Sequence, residues 1–430
     1  MNGKELFFKR MLPVALALGT AWAARGQIGH EYGAAWAGGI GVLAVITLSG
    51  RTDWYSRLPV ITALGAIAWG SGGIISYGKV VGFAHTASYL NTSYGLMMLL
   101  FIGGMYGFLG GGITGLALES TPGKKVDWAA LVTQMFAGGY LCWGLFIFEL
   151  EWFMTPPRSE LWAACLGACV ALGWYLHRNG YGHALRTAWF SALGAGFGFG
   201  FGNFLQRMGQ TSGINFNWWN VMEYSIGFCG GLGMAYGIFS SDKWPESIKA
   251  DKLSNKIGWV FLVVLLPIVN LIEAVNTKTM VQTGEGLHET YPALFAVTWQ
   301  TIMWLMSVLF MVALSLYFKP SWQNSATQKL AAIFTLAFLT WYILISNFIS
   351  ATWLAGKFSS QHLYWVNLIV LFFLLTRKTE PSFSSVNNNQ GSWSSSLLKW
   401  WAAAILLILL VSYIAITFGH VNPNAELRFG

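Results

Sequence analysis

The chain has 430 residues, 55% of them hydrophobic and only 10% charged, with a mean hydropathy of +0.52. Soluble domains carry about a quarter charged residues, so a soluble globular fold is excluded as the main architecture. The net charge of +8 does not point to nucleic acid, because in so apolar a chain basic residues mark cytoplasmic loops.

Apolar runs near 20 residues recur along nearly the whole sequence, which predicts an all-α polytopic membrane protein. Strand-type alternation is absent, which argues against a β-barrel. In chain order, thirteen spans are expected near 8–24, 33–50, 57–77, 93–118, 127–149, 160–177, 184–206, 218–240, 256–277, 290–318, 328–354, 361–376 and 397–419. Lys4, Lys9 and Arg10 before the first run, with Ala21-Trp22-Ala23 after it, have the outline of a signal peptide. A matching segment in the second half favours a retained first helix instead.

The basic residues test this count. With the N-terminus inside, every inner segment holds at least two Lys or Arg and every outer segment holds one. A misplaced span would scramble that alternation, so the expected topology is N-terminus inside and C-terminus outside in a plasma or inner membrane. The stretch 378–396, rich in Ser and Asn, reads as a flexible cytoplasmic linker before a separate last helix. Cys142, Cys165, Cys169 and Cys229 all lie in apolar runs and read as small packing residues, without the His or Cys neighbours of a metal site.

Glu31-Tyr32 is followed by Gly38, Gly39 and Gly41; Glu223-Tyr224, 192 residues on, is followed by Gly230, Gly231 and Gly233. Leu18-Gly19 matches Leu193-Gly194. Thr92-Ser93-Tyr94 matches Glu289-Thr290-Tyr291. Thr133, Tyr140 and Phe146 match Thr335, Tyr342 and Phe348. The ordered series predicts two parallel six-helix repeats, 1–178 and 179–377, followed by the linker and by a helix with an outer tail at 397–430. Two six-span halves of one orientation resemble the major facilitator plan. The loop Gly50-Arg51-Thr52-Asp53 is similar to that superfamily's Gly/Asp/Arg motif but departs from it in several places, and the long central loop is missing. The resemblance is architectural and carries no functional residue across.

The turn from Arg25 to Gly33 concentrates Arg25, Gln27, His30, Glu31 and Tyr32 among glycines at an expected membrane edge. Irregular polar backbone is tolerated at that depth only where protein or water covers it. It therefore reads as a ligand-facing hairpin; the bland alternative is an outer turn in which Arg25 and Glu31 pair. The second half offers Asn203, Gln206, Arg207, Glu223 and Tyr224 on the same side. Amides, arginines and aromatic rings suit a hydroxyl- or carboxylate-bearing solute. Intramembrane carboxylates are costly and mark proton paths, which singles out Glu31, Glu223 and Glu273 as coupling candidates.

The expected function is a secondary transporter of a small polar solute, a sugar or sugar acid, with proton coupling. No resident cofactor or metal is expected. One alternative is a membrane-embedded transferase at the outer face, with His30 and Glu31 as base and partner; Met222 where the first copy has His30 motivates it. A second is a non-transporting partner subunit.

Overall fold

The computed structural model describes residues 2–156, 159–241, 244–248, 251–318, 326–380 and 392–430. Arg158, Lys243, Lys249, Lys319 and most of the expected linker lie outside these residues. The described residues are helical, with no strand beyond an isolated bridge between Thr121 and Lys124. In chain order they form α1 (Gly3–Ile28), α2 (Glu31–Leu48), α3 (Thr52–Ser56), α4 (Leu58–Gly73), α5 (Gly78–Phe83), α6 (Tyr89–Glu119), α7 (Trp128–Glu149) and α8 (Leu161–Arg178). There follow α9 (Gly182–Thr211), α10 (Trp218–Phe239), α11 (Lys252–Ala274), α12 (Thr277–Gly286), α13 (Pro292–Phe318), α14 (Gln328–Ile349), α15 (Ser360–Leu375) and α16 (Trp393–Phe418). A helix overlaps each of the thirteen expected stretches.

Eight of these helices, α1, α2, α6, α7, α11, α13, α14 and α16, are long and apolar enough to cross a membrane; α4 and α15 are apolar but shorter. The chain is a helical membrane protein on this ground. Helices α8, α9 and α10 fall below that hydropathy. In α9 the cause is visible, since Arg186, Asn203, Gln206 and Arg207 are polar positions buried against protein.

Local chemistry sets the helix ends. Ser88, Asp127 and Asn217 accept from backbone N–H groups three residues on and cap α6, α7 and α10. α1 stops at Gly29, whose φ of +142° few other residues adopt. A Cβ there would also sit 3.0 Å from the Glu273 carboxyl carbon.

Six helices close into a ring in the order α1, α2, α4, α6, α9, α10 and back to α1. Each seam is antiparallel and lined by glycine. Gly41 meets Leu18, Gly38 meets Trp69, Gly72 meets Tyr106, Gly103 meets Ala195, Gly194 meets Cys229, and Gly231 meets Ala15. Removing Cβ atoms lets the backbones approach, which is how helices gain contact in a solvent as apolar as themselves. The paired glycine signatures thus serve the seams of α2 and α10.

Trp22, Trp69, Tyr106 and Phe199, all fully buried, fill the interior of the ring. Trp22 sits 5.5 Å from Trp69 and 5.8 Å from Tyr106, and Tyr106 sits 6.1 Å from Phe199. At the Phe239 end, residues 244–248 strap across the ring. Arg51 donates to Trp244 O at 2.9 Å, Asp53 accepts from Ser247 N at 2.9 Å, and Ile248 N donates to Ser120 O at 2.8 Å. Burial would raise the Asp53 carboxyl, but Arg51 and the Ser247 N–H outweigh it and hold the group below its usual range.

The other helices lie outside the ring. α11 packs on α4, α14 on α2 and α1, and α15 on α1, while α8 and α16 cover α6 and α9. The expected domain boundary at 178/179 falls in the turn between α8 and α9. The most extensive helix–helix contact among the described residues, α6 on α9, crosses it.

Candidate functional site

At the Arg25 end of the ring, side chains from both expected halves converge on one buried ion pair. Arg25 Nη1 lies 2.5 Å from Glu223 Oε2, and both side chains are 1% exposed. The second carboxylate oxygen, Oε1, accepts from the Tyr77 hydroxyl at 2.6 Å. The Arg25 guanidinium also donates through Nε to the His30 carbonyl at 3.2 Å and meets His30 Nδ1 at 3.0 Å. Its carbon stands 5.0 Å over the Trp22 ring, so the pair rests directly on the aromatic filling. Breaking such a pair by removing one partner leaves an uncompensated buried charge, at a cost of about 3–5 kcal/mol.

The elements explain the geometry. The last turn of α1 brings Arg25 inward, and α10 brings Glu223 opposite it because Gly227 and Gly231 let these helices touch. Tyr77 arrives on the short connection between α4 and α5, held edge-on to Phe199 at 4.9 Å.

The remaining expected residues separate. Glu31 and Tyr32 are exposed in the first turn of α2. His30 is exposed and edge-on to Tyr77 at 5.2 Å. Gln27 is half-buried in the last turn of α1. Glu273 is exposed on α11, its carboxylate against Gly29. No polar cavity joins Glu31 to Glu223 among the described pockets.

Arg207, 1% exposed, donates to Ala84 O at 2.8 Å, Thr86 O at 2.9 Å and Thr92 Oγ1 at 3.2 Å. It ties down the connection between α5 and α6. Beside it, the buried Asn203 donates to Gln206 Oε1 at 3.0 Å and contacts Met222 Sδ at 3.4 Å.

Next to the ion pair, α10 and α15 enclose a cleft of about 290 Å³ lined by Asn220, Tyr224, Ser360, Tyr364 and Asn367 among apolar neighbours. Asn220 donates to Ala23 O at 2.9 Å and accepts from Tyr364 OH at 2.8 Å. Asn367 Nδ2 reaches Thr20 Oγ1 at 3.0 Å and Tyr224 OH at 3.3 Å. Tyr224 thus enters the cleft directly, and Glu223 is its neighbour on the same helix. The volume falls just below the usual range of small-molecule sites, about 300–1,000 Å³.

Tyr77, Tyr364 and Asn367 were not singled out from sequence. Tyr77 carries one signal, the polar run Ser76-Tyr77-Gly78-Lys79 interrupting apolar sequence. Among the described residues no group of three or more His, Cys, Asp or Glu is placed to hold a metal, and the four cysteines are free thiols. No protein-family model, curated protein or solved structure matches the chain.

Proposed function

We propose that the protein is a secondary transporter of a small polar solute, of the sugar or sugar-acid class, with Glu223 as the proton-coupling carboxylate. The observation that carries this reading is the fully buried Arg25–Glu223–Tyr77 cluster beside a mainly apolar cleft into which two amides and three hydroxyls are built. A buried pair adds little stability over an apolar equivalent, so its presence here is better explained by use than by folding. In the proposal, protonation of Glu223 removes the charge that compensates Arg25. The guanidinium then favours a different arrangement, one in which hydroxyl or carboxylate groups of a solute replace the lost acceptor. Asn220, Asn367, Tyr224 and Tyr364 supply the donors and acceptors that recognise the solute.

In the same proposal, the chain crosses a plasma or inner membrane thirteen times with its N-terminus inside. Helix positions and the distribution of Lys and Arg support this. Glu31 and Glu273, both exposed, become entry-side residues rather than coupling groups.

Purified protein in proteoliposomes with an imposed pH gradient tests the reading. A panel of sugars and sugar acids is screened for accumulation, and Glu223→Gln is compared with the parent. The expected result is loss of gradient-driven accumulation with retained solute exchange across equal pH. Accumulation by Glu223→Gln at the parental rate would sink the coupling role.

A further inference from the structure

Independent of the proposed transport, the flank of α16 holds a second cavity. Where α16 crosses α9, a groove of about 560 Å³ opens between α16 and α10, lined by Leu193, Cys229, Trp400 and Leu407 and, at one end, by Phe190 and Tyr236. Its long axis follows α9 from Phe190 to Phe197, about 10 Å at 1.5 Å per residue. That length lies within one leaflet of a hydrocarbon core about 30 Å thick.

Charge collects at the Phe190–Tyr236 end. The Arg186 guanidinium stands 5.4 Å over the Phe190 ring and 5.8 Å over the Tyr236 ring, both of which line the groove. Arg186 is 7% exposed and donates to Ser240 O at 3.2 Å and Ser240 Oγ at 2.8 Å. One helical turn further along α10, Arg10 stands 5.4 Å over Phe239 and follows into Met11, which also lines the groove. Arg10 is 3% exposed; its Nη2 donates to Glu380 O at 2.6 Å, while its Nη1 has no hydrogen-bond partner among the described residues. An apolar channel short enough for one leaflet, with two arginines packed behind the residues at one end of it, complements one class of molecule: an acyl chain bearing an anionic headgroup.

We infer that the α9–α10–α16 groove binds an anionic phospholipid, one acyl chain lying along Leu193, Cys229 and Leu407 and the phosphate beside Arg186 and Arg10. Bound lipid fills space that α16 leaves open and fastens this helix to the ring.

Native mass spectrometry of the detergent-purified full chain, with phosphatidylglycerol or phosphatidylcholine added at equal concentration, tests the site. The expected result is one phosphatidylglycerol retained, at least about tenfold more than phosphatidylcholine, matching about 1.4 kcal/mol or more. Ala403→Trp, which fills the groove from the outer helix, should abolish retention, whereas Ala402→Trp, on α16 but outside the groove, should not. Arg186→Gln should remove the preference for the anionic lipid, and Arg186→Lys should keep it. Equal retention of the two lipids, or Ala403→Trp retaining as much as Ala402→Trp, would overturn the inference. If Arg186→Gln fails to fold, the Ala403 and Ala402 pair still decides it.

Discussion

The hairpins α1–α2 and α9–α10 look alike in sequence and do opposite things with their charges. Glu223, at the head of α10, is buried and bonded to Arg25 and Tyr77, while Glu31, at the head of α2, is exposed. Arg25, ending α1, faces a carboxylate; Arg207, near the end of α9, faces two carbonyls and a hydroxyl. What the two hairpins share is the glycine spacing that builds the seams; what separates them is who sits opposite. An internal match therefore reports a packing requirement here, and chemistry has to be read from the partner.

The contrast can be broken at its strongest point. Arg25→Met should destabilise the folded chain by about 3–5 kcal/mol, because Glu223 is left buried and unpaired. Adding Glu223→Met should restore most of that loss. Denaturation of both variants in one detergent measures it, and a double variant no better than the single would remove the ion pair as the cause. Arg207→Met should cost about 2–3 kcal/mol, since buried carbonyls lose charge-assisted donors. Faster hydrogen exchange should be confined to residues 84–92, with exchange around the Arg25–Glu223 pair unchanged.

Gly29→Ala should cost about 1–3 kcal/mol from its positive φ alone. The added methyl also presses on Glu273, so Glu273→Ala in the same background should return part of the loss in a thermal melt. A pH series gives a further test of the Arg207 region. Burial pushes the His85 imidazole down to about 4, and the charges of Arg207 and His420 add to the effect. The folded state binds that proton more weakly than the unfolded chain, whose imidazole titrates near about 6.5. His85 therefore favours folding fully above the unfolded value, and the benefit falls as pH drops from about 6.5 to about 4, by at most about 1.4 kcal/mol per unit. His85→Gln should flatten that slope. Glu31→Gln should change stability by less than about 0.5 kcal/mol, as exposed surface substitutions do. A larger loss would erase the distinction between the two glutamates.

Helix positions were legible because a 20-residue apolar run is a local property, and helices occupy all the predicted stretches. The closed ring was not, because which helix meets which depends on glycines that nearly every helix carries. The matched triplets Thr133/Tyr140/Phe146 and Thr335/Tyr342/Phe348 illustrate the limit. Tyr140 is 76% exposed, whereas Tyr342 is fully buried and donates to Gly33 O at 2.9 Å. Arg25 and Glu223 were both visible as charges in apolar surroundings, yet sequence proximity pointed Arg25 toward Glu31, six residues away rather than 198. Tyr77 was hidden for the opposite reason. An aromatic at a helix end is what any membrane edge provides, and only its 2.6 Å bond to Glu223 marks it.

The cleft has two unlike walls. One is α10, locked onto α1 in the ring by backbone contact at Gly227 and Gly231; the other is α15, which rests on α1 and on α14 from outside. In mechanical terms the first wall is a stator and the second a flap. The flap is fastened to the stator by two side-chain bonds, Tyr364 to Asn220 at 2.8 Å and Asn367 to Thr20 at 3.0 Å, so those two bonds set how firmly the cleft is shut.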